Sequence, residues 1–382
     1  MQKITRLGVA VATALATAAV CTPSVSAAAR GGDGHERGGH HAVFVQTDNP
    51  EGNQIIAYRR AENGRLTQAG TYDTDGLGGV LEGSVADHLA SQGSLTYDPR
   101  HALLYAVNAG SDTVSVFSVH GDHLKLRQVV DSGGRFPVSV AVHDDDVYVL
   151  NALDGGSIQG YTIRHGRLDE QAGRNRALGL DPNATPQFTN TPGQVGFTGD
   201  GSQLVVTTKA NGSNLLVFNL KRSGAPAHSP VTTNLPGAVP FAFVPNGRHG
   251  LFLAEAGTNA VATFTIHRDG TASQEAFAAT GQSATCWIVA ARSLLYASNA
   301  GSSTLSGFRA SDHGRRLTPL GNTPTNPGTV DAATTPDGRY LYAQTGVNGI
   351  VDEFAVNHNG SLTRLGSRTV PGGVGGEGIV AP

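Results

Sequence analysis

Three side chains have the types and positions to do acid–base chemistry: Lys209, Glu255 and Glu377. A lysine ammonium beside a carbonyl stabilises the charge that develops on its oxygen. A glutamate within reach of water, or of an acidic C–H, acts as general base. Together they suit the opening or closing of a lactone ring. The structural alternative is a plain salt bridge between Lys209 and Glu255. Cys286 could be a nucleophilic thiol. Its run, Cys286-Trp-Ile-Val-Ala290, reads instead as buried strand, where cysteine behaves as a small hydrophobe. The chain has no Gly-x-Ser-x-Gly elbow and no ligand-spaced histidine pair. Neither a serine hydrolase nor a metal site is expected, and no cofactor.

What must position these residues is a repeat. Leu103-Leu-Tyr-Ala-Val-Asn-Ala-Gly-Ser111 returns as Leu294-Leu-Tyr-Ala-Ser-Asn-Ala-Gly-Ser302. Weaker copies lie between and around them. In each unit a strand ends at a polar residue and an aromatic follows 9 to 12 residues later. The polar residues are Gln46, Asn108, Asn151, Lys209, Glu255, Asn299 and Gln344, spaced 43 to 62 residues apart. Each unit holds four short alternating runs rich in β-branched residues, which predicts strands. A period near 45 with four strands is the pattern of propeller blades. The predicted fold is all-β: a seven-bladed β-propeller of four-stranded antiparallel blades over residues 42–382. The first unit lacks its innermost strand, and Glu377-Gly-Ile-Val-Ala-Pro382 matches the missing piece. The C-terminal strand should therefore pair into the N-terminal blade and close the ring.

Composition agrees. Of 382 residues 51 are glycine and only 15% are charged, which suits tight turns between short strands. A net charge of −3 with no long basic run gives nucleic acid little to bind. Residues 1–27 read as a secretory signal, with Lys3 and Arg6 before an apolar run and Val25-Ser-Ala27 at its end. Residues 28–41 are rich in Gly, Arg and His and read as a disordered linker. The expected location is extracellular, with no membrane association after cleavage and a monomeric state.

Alternation sorts the turns onto two faces. One face carries hairpin turns such as Pro245-Asn-Gly247 and Pro336-Asp-Gly338. The second face carries the two longest connections, Thr71–Gly93 and Ala177–Gln194, and the seven polar strand ends. Loops on a rigid scaffold usually carry the binding groups. The expected site is therefore the channel mouth on this face. Lys209, Glu255 and Glu377 are its catalytic candidates; Gln46, Asn108, Arg135, Asn151, Gln194, Asn299 and Gln344 are its ligand-binding candidates. The asparagines have a structural alternative, since Asn-Ala-Gly turns use Asn to bond the local backbone.

The motifs Tyr105-Ala-Val-Asn-Ala-Gly-Ser111, Tyr296-Ala-Ser-Asn-Ala-Gly-Ser302 and Pro336-Asp-Gly-Arg-Tyr-Leu-Tyr342 resemble the lactonase family of seven-bladed β-propellers. They are also similar to secreted propellers built on a Tyr-Val-Thr-Asn repeat. The resemblance covers residues 42–382. It implies an activity like that of 6-phosphogluconolactonases or carboxymuconate cyclases, which open or close lactone rings without a required metal. The Pro-His pair that many such proteins place before a first strand is absent, so no catalytic residue carries over by motif. The expected function is a secreted lactone hydrolase or cycloisomerase taking a small-molecule lactone or carboxylate. The alternative is a non-catalytic propeller binding a ligand or an extracellular partner protein.

Overall fold

The computed structural model describes residues 41–382. The expected signal segment and residues 28–40 of the expected linker lie outside the described residues. From Ala42 onward the chain forms seven antiparallel sheets arranged as blades in a ring. Blade 2, built on the best-preserved repeat, shows how residue type sets position. Its strands are Leu95–Asp98, Leu103–Asn108, Thr113–His120 and His123–Asp131. Leu103–Asn108 is buried on both faces because neighbouring blades cover it. The outermost strand, His123–Asp131, alternates polar and apolar and is half exposed. The other blades repeat this inside-to-outside gradient.

The ring closes as expected. Ile379–Val380 pairs antiparallel with Ala42–Gln46, placing Val380 opposite Phe44 and Ile379 opposite Val45. Blade 1 thus combines both ends of the chain, and Ala42–Gln46 is not left as an unpaired edge. The repeated tyrosine of the second strands has a specific task between blades. Tyr148 Oη donates to Gly224 O at 2.6 Å, Tyr296 Oη to Gly360 O at 2.9 Å and Tyr342 Oη to Gly64 O at 2.7 Å. In each pair the acceptor is a turn of the next blade. A buried tyrosine supplies apolar area and can still satisfy its hydroxyl; the equivalent Tyr105 of blade 2 supplies only the area, its hydroxyl being buried without a partner.

One feature differs from the regular strands that alternation predicts. The innermost strands of blades 3, 5, 6 and 7 each slip register near their start, at Pro137/Ser139, Pro240/Phe243, Thr285/Trp287 and Thr329/Ala332. Each slip follows a residue with positive φ: Phe136, Val239, Ala284 and Gly328. Such bulges redirect a side chain. Here they involve Phe241, Cys286 and Asp331.

Candidate functional site

The connection Thr71–Gly93 is not a rim loop. Its second half enters the channel mouth as a plug, with Leu89, Ala90 and Ser91 buried. The plug is held from several sides. His88 N donates to Gly375 O at 2.8 Å and Gln92 N to Gly193 O at 3.1 Å. Ser91 Oγ lies within hydrogen-bond distance of Val138 O and of Glu377 Oε2, each at 2.9 Å, and its single proton serves one of them at a time. Trp287 Nε1 donates to Ser91 O at 2.5 Å, and Ile288 N to Gln92 Oε1 at 3.0 Å. Blade 7 admits the plug at Gly346, where a Cβ would fall 1.6 Å from the Ala86 carbonyl oxygen. Replacing Trp287 with Phe keeps the ring and removes the donor. The expected loss is about 1–2 kcal/mol in urea unfolding, with faster proteolysis within residues 82–93.

Between the plug and blades 4 to 7 lies a cavity of about 330 Å³. Its walls are mostly apolar: Phe241 and Trp287, in ring contact at 4.9 Å, with Val239, Ala256, Ala284 and Ala300. Asp87 and Lys209 supply the charge. Cys286 also lines it, turned inward by its bulge; burial pushes its thiol up to about 12, so it is not a ready nucleophile. The wider depression at the other mouth, about 790 Å³, is lined by turn residues such as Pro99 and Pro336 and holds none of the candidate acid–base groups.

Lys209 lies just past the end of Gln203–Thr207 at φ +50, a left-handed turn that aims its side chain into the mouth. Its ammonium donates to Ala90 O at 2.6 Å, Phe188 O at 2.7 Å and Thr191 Oγ1 at 3.1 Å. It also sits 5.3 Å from the Phe241 ring centroid. All three donors are therefore committed, and they tie both long connections to blade 4. Burial lowers its pKa to about 7 against the opposing pull of Asp87, Cys286 and Glu377. Asp87 accepts from Leu89 N at 2.8 Å and from Ser91 N at 3.2 Å. Burial raises its pKa to about 6, while these amides and the Lys209 charge hold it back.

Behind the plug three more carboxyls share the buried channel. Glu377 is fully buried, and its Oε1 has no partner. Asp48 Oδ2 accepts from Glu377 N at 2.7 Å. Asp331 accepts from Ala332 N at 2.9 Å and Ile379 N at 3.3 Å. Burial first, then mutual repulsion, raises all three: Asp48 to about 8, Asp331 to about 7 and Glu377 well above its ordinary value. Among the described residues no three His, Cys, Asp or Glu side chains are arranged to hold a metal ion.

The sequence candidates separate on this geometry. Lys209 and Glu377 meet the same plug; Glu255 does not. Its Oε2 accepts from Thr258 Oγ1 at 2.8 Å, while the three Lys209 donors go to Ala90, Phe188 and Thr191 and not to Glu255. Asn108 bonds Thr113 and Ser115, Asn151 bonds Ser132 O and Ser157, and Asn299 bonds Thr304 and Ser306, the local role of turn asparagines. Gln194 Oε1 accepts from Phe243 N at 2.6 Å, between blades. Arg135 lies on the surface beside Asp154 at 3.4 Å. Gln344 Nε2 donates to Gln46 O at 3.1 Å; the Oε1 atoms of both glutamines are buried without partners. Asp48, Asp87 and Asp331 went unnoticed in the sequence. Only Asp331 carried a signal, as an acid in a first-strand slot that is apolar elsewhere.

The comparisons bear on this geometry. The family model described as lactonase, 7-bladed β-propeller, matches residues 82–375. No curated protein sequence matches significantly. Among solved structures, a putative 6-phosphogluconolactonase from Bacteroides fragilis is similar at 18% identity, covering 88% of this chain and 96% of its own, with a TM-score of 0.69. The periplasmic gluconolactonase of Pseudomonas aeruginosa is similar at 17% identity, covering 88% and 98%, with a TM-score of 0.71. A hypothetical selenium-binding protein from Sulfolobus tokodaii shares the ring at 11% identity, covering 88% and 92%, with a TM-score of 0.62. Likeness at these identities shows the fold and leaves the chemistry to the site.

Proposed function

The chain belongs to the lactonase family of seven-bladed β-propellers, and from that premise we propose that it opens lactone rings in the second-face cavity, with Asp87 as general base. One observation carries this reading: a carboxyl group with lone pairs to spare lines an otherwise apolar cavity, held by two amides beside a buried ammonium. Asp87 takes a proton from water as the water oxygen adds to the ring carbonyl carbon. The ring C–O bond then breaks, and the proton passes to the departing ring oxygen. Lys209 acts through its charge, favouring the Asp87 anion and the oxyanion without donating a hydrogen bond to either. Glu377 positions the plug through Ser91 rather than touching substrate. The apolar run of residues 7–20 and Val25-Ser-Ala27 support a reading in which the chain is exported and acts outside the cell.

The test is ring opening followed by pH-stat. Asp87→Asn keeps the size and removes the base, giving up one of the two amide bonds, and should lower kcat/KM at least about 100-fold. The base must be ionised and Lys209 charged, so wild-type kcat/KM should rise with pH through about 6 and fall again as the ammonium is lost above about 7. An unchanged rate in the variant overturns the role of Asp87. A second reading, a propeller that binds its ligand without turning it over, is favoured by the full commitment of Lys209. It predicts that wild type and Asp87→Asn are equally inert.

A further inference from the structure

Apart from the Asp87 lone pairs that the reaction itself uses, the cavity that would hold a lactone carries no polar side chain to spare for a sugar. Lys209 has spent its donors, Trp287 has spent its indole N–H on Ser91, Thr189 Oγ1 donates to Pro186 O at 3.2 Å and accepts from Asn190 Nδ2 at 3.1 Å, and apart from Asp87 the remaining walls are Val, Ala, Phe, Gly and Cys286. A polyhydroxylated lactone would leave its hydroxyls buried without partners, which disfavours it strongly. A phosphate would need a free cation or amide cluster, and no arginine lines the cavity.

A second observation points the same way. Seven large hydrophobic residues are exposed among the described residues, and five lie on the second face: Leu77, Val80, Val85, Val347 and Val374. The other two, Val129 and Phe277, lie on outermost strands. Val85 is 84% exposed and Val347 42% exposed, yet both line the cavity. An apolar path therefore runs from the cavity out across the rim. The cavity itself has room for about eleven water volumes, enough for a lactone ring and a few methylenes and too small for a longer chain.

We propose that the ligand is a γ- or δ-lactone bearing an aliphatic tail and no ring hydroxyls or phosphate, its ring beside Asp87 and its tail leaving over Val85 and Val347. The assignment rests on the lactone-opening reading for its reactive head, and on the walls and rim for its tail. The reaction consumes one water: a C–O bond forms at the carbonyl carbon, the ring C–O bond breaks, and the hydroxy acid releases its proton at neutral pH.

The experiment measures kcat/KM for δ-lactones of increasing alkyl length beside δ-gluconolactone and 6-phosphogluconolactone. Calorimetry of the matching δ-lactams, which resist hydrolysis, measures binding alone. The expected gain is about fourfold per methylene, the equivalent of about 0.8 kcal/mol, with both sugar lactones at least 100-fold slower. Val85→Asp and Val347→Asp should cut that gain to less than twofold. Sugar lactones opened faster than alkyl lactones would overturn the ligand class and leave ring opening standing. Alkyl lactams that bind with the same length dependence while no lactone is opened would uphold the ligand class and overturn ring opening. No binding of either kind overturns both.

Discussion

Lys209→Met should cost the fold about 1–3 kcal/mol at pH 7, the range for leaving buried acceptors without their donor, because burial leaves only about half of the lysine charged at that pH. The ammonium is 1% exposed and saturates two carbonyls and a hydroxyl. Methionine fills much of the same space but donates nothing. Ala90 O and Phe188 O would then lose their charged donor at about 1–3 kcal/mol each, and Asp87 would lose its nearest cation. Partial release of the plug offsets some of this, which is why the two carbonyl costs do not simply add. The variant should unfold at lower urea concentration and be cut faster within residues 82–93 and 180–191. Its Asp87 pKa should rise above 6, shifting any rising limb of kcat/KM to higher pH. A cost below about 1 kcal/mol with unchanged proteolysis would mean that the lysine does not hold the two connections.

That expectation replaces the one read from the chain, and the reason is instructive. A lysine among turn asparagines was visible at the right place in the repeat. Its partners were not, because Ala90 and Phe188 offer backbone carbonyls that no residue type announces. The architecture was legible for the opposite reason. Blade period, tyrosine repeat and closing strand are all written in side chains, and the ring forms as they predict. The second face was likewise legible, since long connections interrupt a regular count there. Two things were hidden. A one-residue register slip turns Phe241, Cys286 and Asp331 toward the channel while the apolar alternation still reads as plain strand. The plug at 82–93 has no period at all, and its Asp87 reads as one polar loop residue among several. Of the seven polar strand ends, only Lys209 lines the cavity, because the others spend their amides or carboxylates within their own hairpins or on neighbouring blades.

The buried carboxyls make stability depend on pH in a direction unusual for acids. Asp48, Asp87 and Asp331 titrate near 8, 6 and 7 in the folded chain, with Glu377 well above its ordinary value. In the unfolded chain they release protons near pH 4. Between these limits the folded chain holds more protons, so stability is full below about pH 4 and is lost as pH rises through 6 to 8. A single carboxyl kept protonated from pH 5 to 8, as Asp48 is, contributes roughly 4 kcal/mol of that fall. Lys209 works the other way. Its folded pKa of about 7 lies below the unfolded 10.5, so its contribution grows from pH 7 to 10.5 and flattens the decline at the alkaline end. Glu377→Gln isolates the effect. Ser91 Oγ keeps an amide oxygen as its partner, while the NH2 group placed at Oε1 meets no acceptor there, a cost that does not change with pH. Read from urea midpoints, stability should fall less for the variant than for wild type between pH 4 and pH 8, by at least about 1.4 kcal/mol, one pH unit's equivalent. Parallel curves for the two proteins would mean that Glu377 ionises freely in the folded chain, and that the channel behind the plug is wetter than its burial indicates.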